Sequence, residues 1–166
     1  MILYVDDGIV AATDTKDCQN FLDNLMTEFQ ITAGPVSYFL GIEIKKQKDG
    51  SIFITQETYA KRILRKFNML EATPVGTPTV SVQDPEDSVT KQSITENMPY
   101  RTAVGSLMYL ATGTRPDLAH AVSIVSQKLD NATIEDWNKV KRIFRHLNGT
   151  VEPGILYKHK DRKSVV

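Results

Sequence analysis

Ile2-Leu3-Tyr4-Val5-Asp6-Asp7-Gly8-Ile9-Val10 sets two adjacent carboxylates between two short apolar runs. Each run is long enough for a β-strand, and the acidic pair falls where the chain would reverse. Asp7-Gly8 is itself a hairpin signal, because both residues tolerate positive φ. Residues 1–12 are therefore expected to form a hairpin with negative charge at its tip. The pattern alone leaves two readings of the pair open. Paired carboxylates suit Mg²⁺, a hard cation that binds oxygen and shares its sphere with waters and substrate phosphates. Asp-Asp-Gly is equally good surface-turn chemistry. The pattern alone sits better with the surface turn; one detail points to metal, the nearly all-apolar flanks, which would make a buried hairpin with charge at its tip.

Composition narrows the class without naming it. The chain has 166 residues, 41% hydrophobic and 24% charged, enough for a real core in one domain or two small ones. Its formal net charge of zero does not announce a nucleic-acid binder. Local charge is uneven: Asp84 to Glu96 is acidic, whereas Lys139, Lys141, Arg142, Arg145, Lys158, Lys160, Arg162 and Lys163 form a basic stretch. Cys18 is the only cysteine, which excludes an intrachain disulfide, and with three isolated histidines it makes no zinc site. No apolar run is long enough for a bilayer, and no signal peptide is evident at the N-terminus. An intracellular, soluble chain without a membrane partner is expected.

Periodicity orders the rest. Asp14 is expected to cap a helix to about Gln30, with Cys18, Phe21, Leu22, Leu25, Met26 and Phe29 on one inward face. Tyr38 to Ile44 reads as a strand, paired with Ser51 to Ile54 through an Asp49-Gly50 turn. Within it, Phe39-Leu40-Gly41 suits either a close backbone approach or a bulge. Thr55 is expected to cap a helix over 56–69. Tyr59, Ile63, Leu64 and Phe67 would face inward, and Lys61, Arg62, Arg65 and Lys66 would leave a basic outer face. That face suits a phosphate backbone, or simply solvent. From Thr73 to Pro99 four prolines punctuate a polar linker. The second half reads as helical. Its helices run from Tyr100 to Thr112, from a Thr114 cap with Pro116 in the first turn, and from Thr133 to a stop at Asn148-Gly149. Val104, Leu107, Met108, Ala111, Leu118, Ala121, Val122, Val125, Leu129, Trp137, Val140, Phe144 and Leu147 are its expected inward residues. Gly154 to Tyr157 reads as a last strand. Cys18, the methionines and Trp137 are expected in the core.

The order of these segments is more specific than any one of them. Tyr4-Val5-Asp6-Asp7 resembles the Y-x-D-D motif of reverse transcriptases. Tyr38-Phe39-Leu40-Gly41-Ile42-Glu43-Ile44 follows, then Gln56-x-x-Tyr59-Ala60, Ile63-Leu64-x-x-Phe67-x-Met69 and Thr77-Pro78. After the linker come Tyr100-Arg101-x-x-Val104-Gly105-Ser106-Leu107-x-Tyr109-Leu110, Thr114-Arg115-Pro116-Asp117, and Trp137-x-x-x-Lys141-Arg142-Ile143-x-Arg145-x-Leu147-x-Gly149-Thr150. The series closely resembles the Pol polyprotein of Ty1/copia-type LTR retrotransposons over about residues 1–158.

That resemblance implies an α+β fold: a partial palm of β-hairpins plus helix, then a helical thumb and connection. Residues 1–55 would be the C-terminal part of the palm, 56–72 the thumb helix, 73–99 the linker, 100–158 the connection towards RNase H, and 159–166 a tail. Asp6 and Asp7 would be the catalytic, metal-binding carboxylates, with Tyr4 and Val5 beside the primer terminus and nucleotide. Phe39, Leu40 and Gly41 would be the primer grip. Lys61, Arg62, Arg65 and Lys66 would follow the nucleic-acid backbone. The implied cofactor is Mg²⁺ or Mn²⁺. The implied partners are an RNA template, a DNA primer and a deoxynucleoside triphosphate. The implied location is cytoplasmic, in a virus-like particle, or nuclear.

Departures from the family pattern temper the expected activity. The family's third metal-binding aspartate and its fingers lie upstream of the Y-x-D-D hairpin, and the RNase H carboxylates would lie beyond Tyr157. Ile31 to Val36 lacks the Asp-Leu-Gly often found before the primer grip, and Asn148 stands where a basic residue is usual. On its own the chain is expected to be an inactive part of an RNA-directed DNA polymerase. The alternative is a non-catalytic remnant that binds nucleic acid or a partner.

Overall fold

A computed structural model describes residues 1–79, 93 and 98–158. Most of the acidic run 84–96, most of the linker and the tail 159–166 lie outside the described residues. The architecture is α+β. In chain order it runs β1 (Ile2–Tyr4), β2 (Asp7–Ile9), α1 (Thr15–Glu28), β3 (Tyr38–Phe39), β4 (Ile42–Lys46), β5 (Ile52–Thr55), α2 (Glu57–Lys66), α3 (Tyr100–Gly113), a 3-10 turn (Pro116–Leu118), α4 (Ala119–Ser126), α5 (Ile134–Asn148) and β6 (Ile155–Tyr157). β1 and β2 form a two-stranded antiparallel sheet. A second antiparallel sheet has the order β3-β4-β5-β6.

The fully buried apolar side chains come from the helices. Ala60, Ile63 and Leu64 of α2 share one core with Tyr100, Val104, Leu107 and Leu110 of α3, Leu118, Val122 and Val125, and Val140, Ile143, Phe144 and Leu147 of α5. α2 therefore packs with the helices that follow residue 100. β6 closes the sheet side: Ile155 pairs with Ile54 and Leu156 with Phe53, which ties the end of the helical half to the strand that precedes α2.

The segment after α2 is tied down rather than loose. Arg145 Nε donates to the Thr73 carbonyl at 2.7 Å, and Asn148 Nδ2 donates to the carbonyls of Leu70 and Ala72. His146 Nδ1 lies 3.2 Å from the Val75 carbonyl. The first residues of the expected linker are thus held against α5 by its last turn, whose side chains satisfy loop carbonyls. Asn148, unusual on the family pattern, has a structural task here.

Several local expectations need correction. α1 forms with Asp14 as its cap, its carboxylate accepting from Lys16 N–H at 2.8 Å, but none of its residues is buried. Phe21, Met26 and Phe29 are exposed, and Cys18 is only half-buried. The helical stripe is real, but it is covered only in part: Leu22 and Leu25 are half-buried and none of its residues is buried. Met1 and Met108 are also exposed rather than core. Thr55 does not cap α2; it ends β5, fully buried. The cap position falls to Gln56, and the Glu43 carboxylate of β4 accepts from Thr58 N–H at 2.9 Å. A strand side chain thus satisfies the orphan helix donor that sequence reasoning gave to a neighbour. Thr114 ends α3 instead of opening the next helix, and its hydroxyl donates to Gln56 Oε1 at 3.0 Å. Gly149 keeps an ordinary right-handed φ; a Cβ there would lie 2.9 Å from Pro74 Cβ, so its smallness serves packing.

Candidate active site

The carboxylate turn is tighter than its sequence suggests. Tyr4 pairs with Asp7, Leu3 with Gly8 and Ile2 with Ile9, so the two-residue loop is Val5-Asp6 and not Asp7-Gly8. Val5 has φ of +51°, whereas Asp6 keeps a negative φ. That is the φ signature of a type II′ hairpin turn, whose first central position normally takes glycine. A β-branched residue there is an outlier, at a cost of about 1–3 kcal/mol. Such strain is concentrated at functional turns more often than at idle ones. Asp6 occupies the tip, and Asp7 opens β2 opposite Tyr4. Both carboxylates are exposed, and the hairpin is not buried as its apolar flanks suggested: Ile2 and Leu3 are also exposed, Tyr4 is 60% and Val5 79% exposed.

Among the described residues no three His, Cys, Asp or Glu side chains come together as a metal-holding group. The donor chemistry of Asp6 and Asp7 fits a hard divalent cation. Two carboxylates do not complete an octahedral sphere, which leaves the other positions to water, phosphate oxygens or further carboxylates.

The second turn lies in the neighbouring hairpin, where β3 adjoins β2. Residues 38–44 do not form one strand. Phe39 pairs with Ile42, and Leu40-Gly41 is a two-residue turn with φ of +48° and +80°. Positive φ at both positions is the mark of a type I′ turn, for which leucine is poorly suited. Phe39 is half-buried and Leu40 more exposed. Gly41 is required on two counts: its φ favours glycine, and a Cβ would collide with the Tyr109 hydroxyl. The approach that the Phe39-Leu40-Gly41 step suggested is thus made by a side chain of α3. Tyr109 Oη donates to the Leu40 carbonyl. Burial, the largest influence, raises the Tyr109 phenol above its usual pKa.

The basic residues of α2 are placed unequally. Arg62, Arg65 and Lys66 are exposed, whereas Lys61 is drawn 2.6 Å from the Glu57 carboxylate. That hydrogen bond is the main reason Glu57 is held below the usual carboxylate range. The Arg62 guanidinium sits 4.9 Å from the centre of the Tyr59 ring.

Sequence reasoning also missed a buried polar knot in the Thr114-Arg115-Pro116-Asp117 motif. Arg115 is buried and grips Asp117 with two parallel bonds, Nε to Oδ1 at 2.9 Å and a terminal nitrogen to Oδ2 at 2.7 Å. It also donates to the Thr150 carbonyl and hydroxyl, and His146 Nε2 lies 3.5 Å from Asp117 Oδ2. Desolvation pushes the Asp117 carboxyl up, but the Arg115 bonds and charge, with His146, bring it below its usual value. The available signal was Asp117 two residues after Arg115 at the start of a helical, otherwise uncharged segment, since a buried charge needs a partner.

The family model described as Reverse transcriptase (RNA-dependent DNA polymerase) matches residues 1–81, which include both turns and α2. The chain is 37% identical over 157 residues to the Retrovirus-related Pol polyprotein from transposon TNT 1-94 of Nicotiana tabacum, covering 90% of this chain and 12% of that protein. It is 40% identical over 160 residues to the Pol polyprotein from transposon RE2 of Arabidopsis thaliana, covering 95% of this chain and 11% of that one. An uncharacterized mitochondrial protein of Arabidopsis thaliana is 37% identical over 98% of this chain and 66% of its own length. No solved structure matches. The chain spans about an eighth of the Pol polyproteins that it matches, and those matches run on through the helical half, whereas the family model stops at residue 81. By sequence and motif order, it belongs to the reverse transcriptase family of copia-type transposon Pol polyproteins.

Proposed function

We propose that this chain supplies the carboxylate turn, the primer-holding turn and a backbone-binding helix of an RNA-directed DNA polymerase. The observation that carries this reading is the Val5-Asp6 turn, whose left-handed valine presents Asp6 and Asp7 at an exposed tip. Asp6 and Asp7 would hold the divalent ion, Mg²⁺ or Mn²⁺. When bound, such an ion supplies electrostatic stabilisation for attack of a primer 3′-hydroxyl on the α-phosphate of a deoxynucleoside triphosphate, with pyrophosphate leaving. Tyr4 and Val5 would line the nucleotide and primer terminus. The turn Phe39-Leu40-Gly41 would position the primer's 3′ end. Arg62, Arg65 and Lys66, with Lys61 once released from Glu57, would contact the sugar–phosphate backbone of an RNA–DNA hybrid without reading sequence.

The chain by itself is expected not to extend a primer, because two exposed carboxylates are an incomplete ligand set for an ion that dehydrates reluctantly. Purified 1–166 with a DNA primer on an RNA template, Mg²⁺ and all four nucleotides should give no extension product. Template-directed incorporation that disappears in Asp6→Asn would overturn this expectation. A second reading, a non-catalytic binding module, is favoured by the exposed cations of α2, which need no metal. Hybrid binding that weakens steeply with salt would support it, since neutralising phosphates releases counterions.

A further inference from the structure

We infer that Tyr109 of α3 is a positioning residue that sets the Leu40-Gly41 turn at a fixed distance from the basic face of α2. The inference rests on the reading of that turn as the part that holds the primer's 3′ end. Nothing in the family match assigns Tyr109, which lies outside residues 1–81.

Four contacts carry it. The Tyr109 hydroxyl donates to the Leu40 carbonyl, the acceptor at the crown of the turn. Its ring edge lies where a Gly41 side chain would stand: a Cβ there would be 3.3 Å from Cζ and 3.7 Å from Cε1. The same ring meets Tyr59 of α2 edge-on, with centroids 4.8 Å apart and planes at 69°. Tyr59 in turn lies under the Arg62 guanidinium at 4.9 Å. One aromatic pair therefore spans from a site turn to a cation on the backbone-binding face, through three separate elements.

The physical consequence follows from the turn's own backbone. Leu40 at φ of +48° is an unfavourable conformation that the surroundings must hold in place. The Tyr109 hydrogen bond is the one side-chain bond that reaches the turn's carbonyl from outside the hairpin among the described residues. Without it the turn loses its anchor to α3, while the cations of α2 stay where the helix puts them. Loss of the hydroxyl should therefore impair recognition of a primer end and spare binding along the duplex.

The test uses the full chain and two probes: an RNA–DNA hybrid with a recessed DNA 3′ end, and the same hybrid made blunt. Affinity for each is measured by fluorescence anisotropy for the wild type, Tyr109→Phe and Gly41→Ala. The wild type should prefer the recessed probe. Tyr109→Phe should lower that preference by about threefold to tenfold, the span of one hydrogen bond, and change blunt-hybrid affinity less than about twofold. Gly41→Ala attacks the same contact from the turn side and should act in the same direction even if one variant folds poorly. A wild-type preference that survives both substitutions overturns the role of Tyr109 alone. Equal wild-type affinity for the two probes overturns the primer-end reading of the turn, and the inference with it.

Discussion

Leu64→Ala should destabilise the protein by about 2–5 kcal/mol, the usual range for emptying a fully packed leucine site. Leu64 is wholly buried on α2, in the same core as Leu107, Val140 and Phe144. Nearby, Phe67 stacks on Phe144 with centroids 4.9 Å apart. Because α2 and the later helices share that core, the loss should appear as one cooperative transition shifted to lower urea. Near-UV and far-UV circular dichroism should report the same midpoint. Two separated transitions, with the helices after residue 100 melting at the wild-type midpoint, would show that α2 is an independent piece.

Arg115→Met should be nearly as damaging, at about 2–4 kcal/mol, since it removes charge-assisted bonds to Asp117 and a donor to the half-buried Thr150 carbonyl. The flexible methionine replaces the stem but leaves the Thr150 carbonyl without its partner. This effect depends on pH with a definite sign. The folded Asp117 carboxyl titrates below its usual value, so its contribution is present above about pH 4 and is lost as pH falls through the depressed value. Glu43 and Asp136, also held low in the fold, add to acid sensitivity in the same window. In Arg115→Met the Asp117 share is gone at every pH. The stability gap between variant and wild type should therefore narrow as pH drops from 5 towards 3. Asp117 is 46% exposed, so water moderates the electrostatic share. A gap that stays constant with pH would mean that Arg115 acts through packing and its bonds to Thr150, and not through Asp117.

Much of the fold was legible because its signals are local. The Thr133-x-x-Asp136 capping box opens α5 with both reciprocal bonds, as the sequence spacing implies. The three- and four-residue spacing of Val104 and Leu107, and of Val140, Phe144 and Leu147, marked faces that are buried. Local reading failed where a distant residue decides the outcome. Glu43 caps a helix that begins fourteen residues later, and Tyr109 fixes a turn sixty-nine residues earlier in the chain. Neither contact leaves a periodic trace. α1 shows the converse: its amphipathic stripe is correct, yet periodicity says which face is apolar and not what covers it. At the site, the carboxylate pair was visible as a motif, but its turn was displaced. Asp7-Gly8 is the better turn dipeptide, and the structure nevertheless places Val5 at positive φ and Gly8 in a strand. A strained valine is invisible to propensity, which scores what a residue prefers and not what its surroundings impose.

The most direct test is Mn²⁺ titration of isotopically labelled 1–166, read as paramagnetic broadening of amide resonances. Selective broadening over residues 4–8 at millimolar Mn²⁺, abolished in an Asp6→Asn/Asp7→Asn double variant, is the expected result. Broadening that spares the Val5-Asp6 turn, or that persists there in the double variant, would contradict the assignment of these carboxylates as the metal-holding part of a polymerase site.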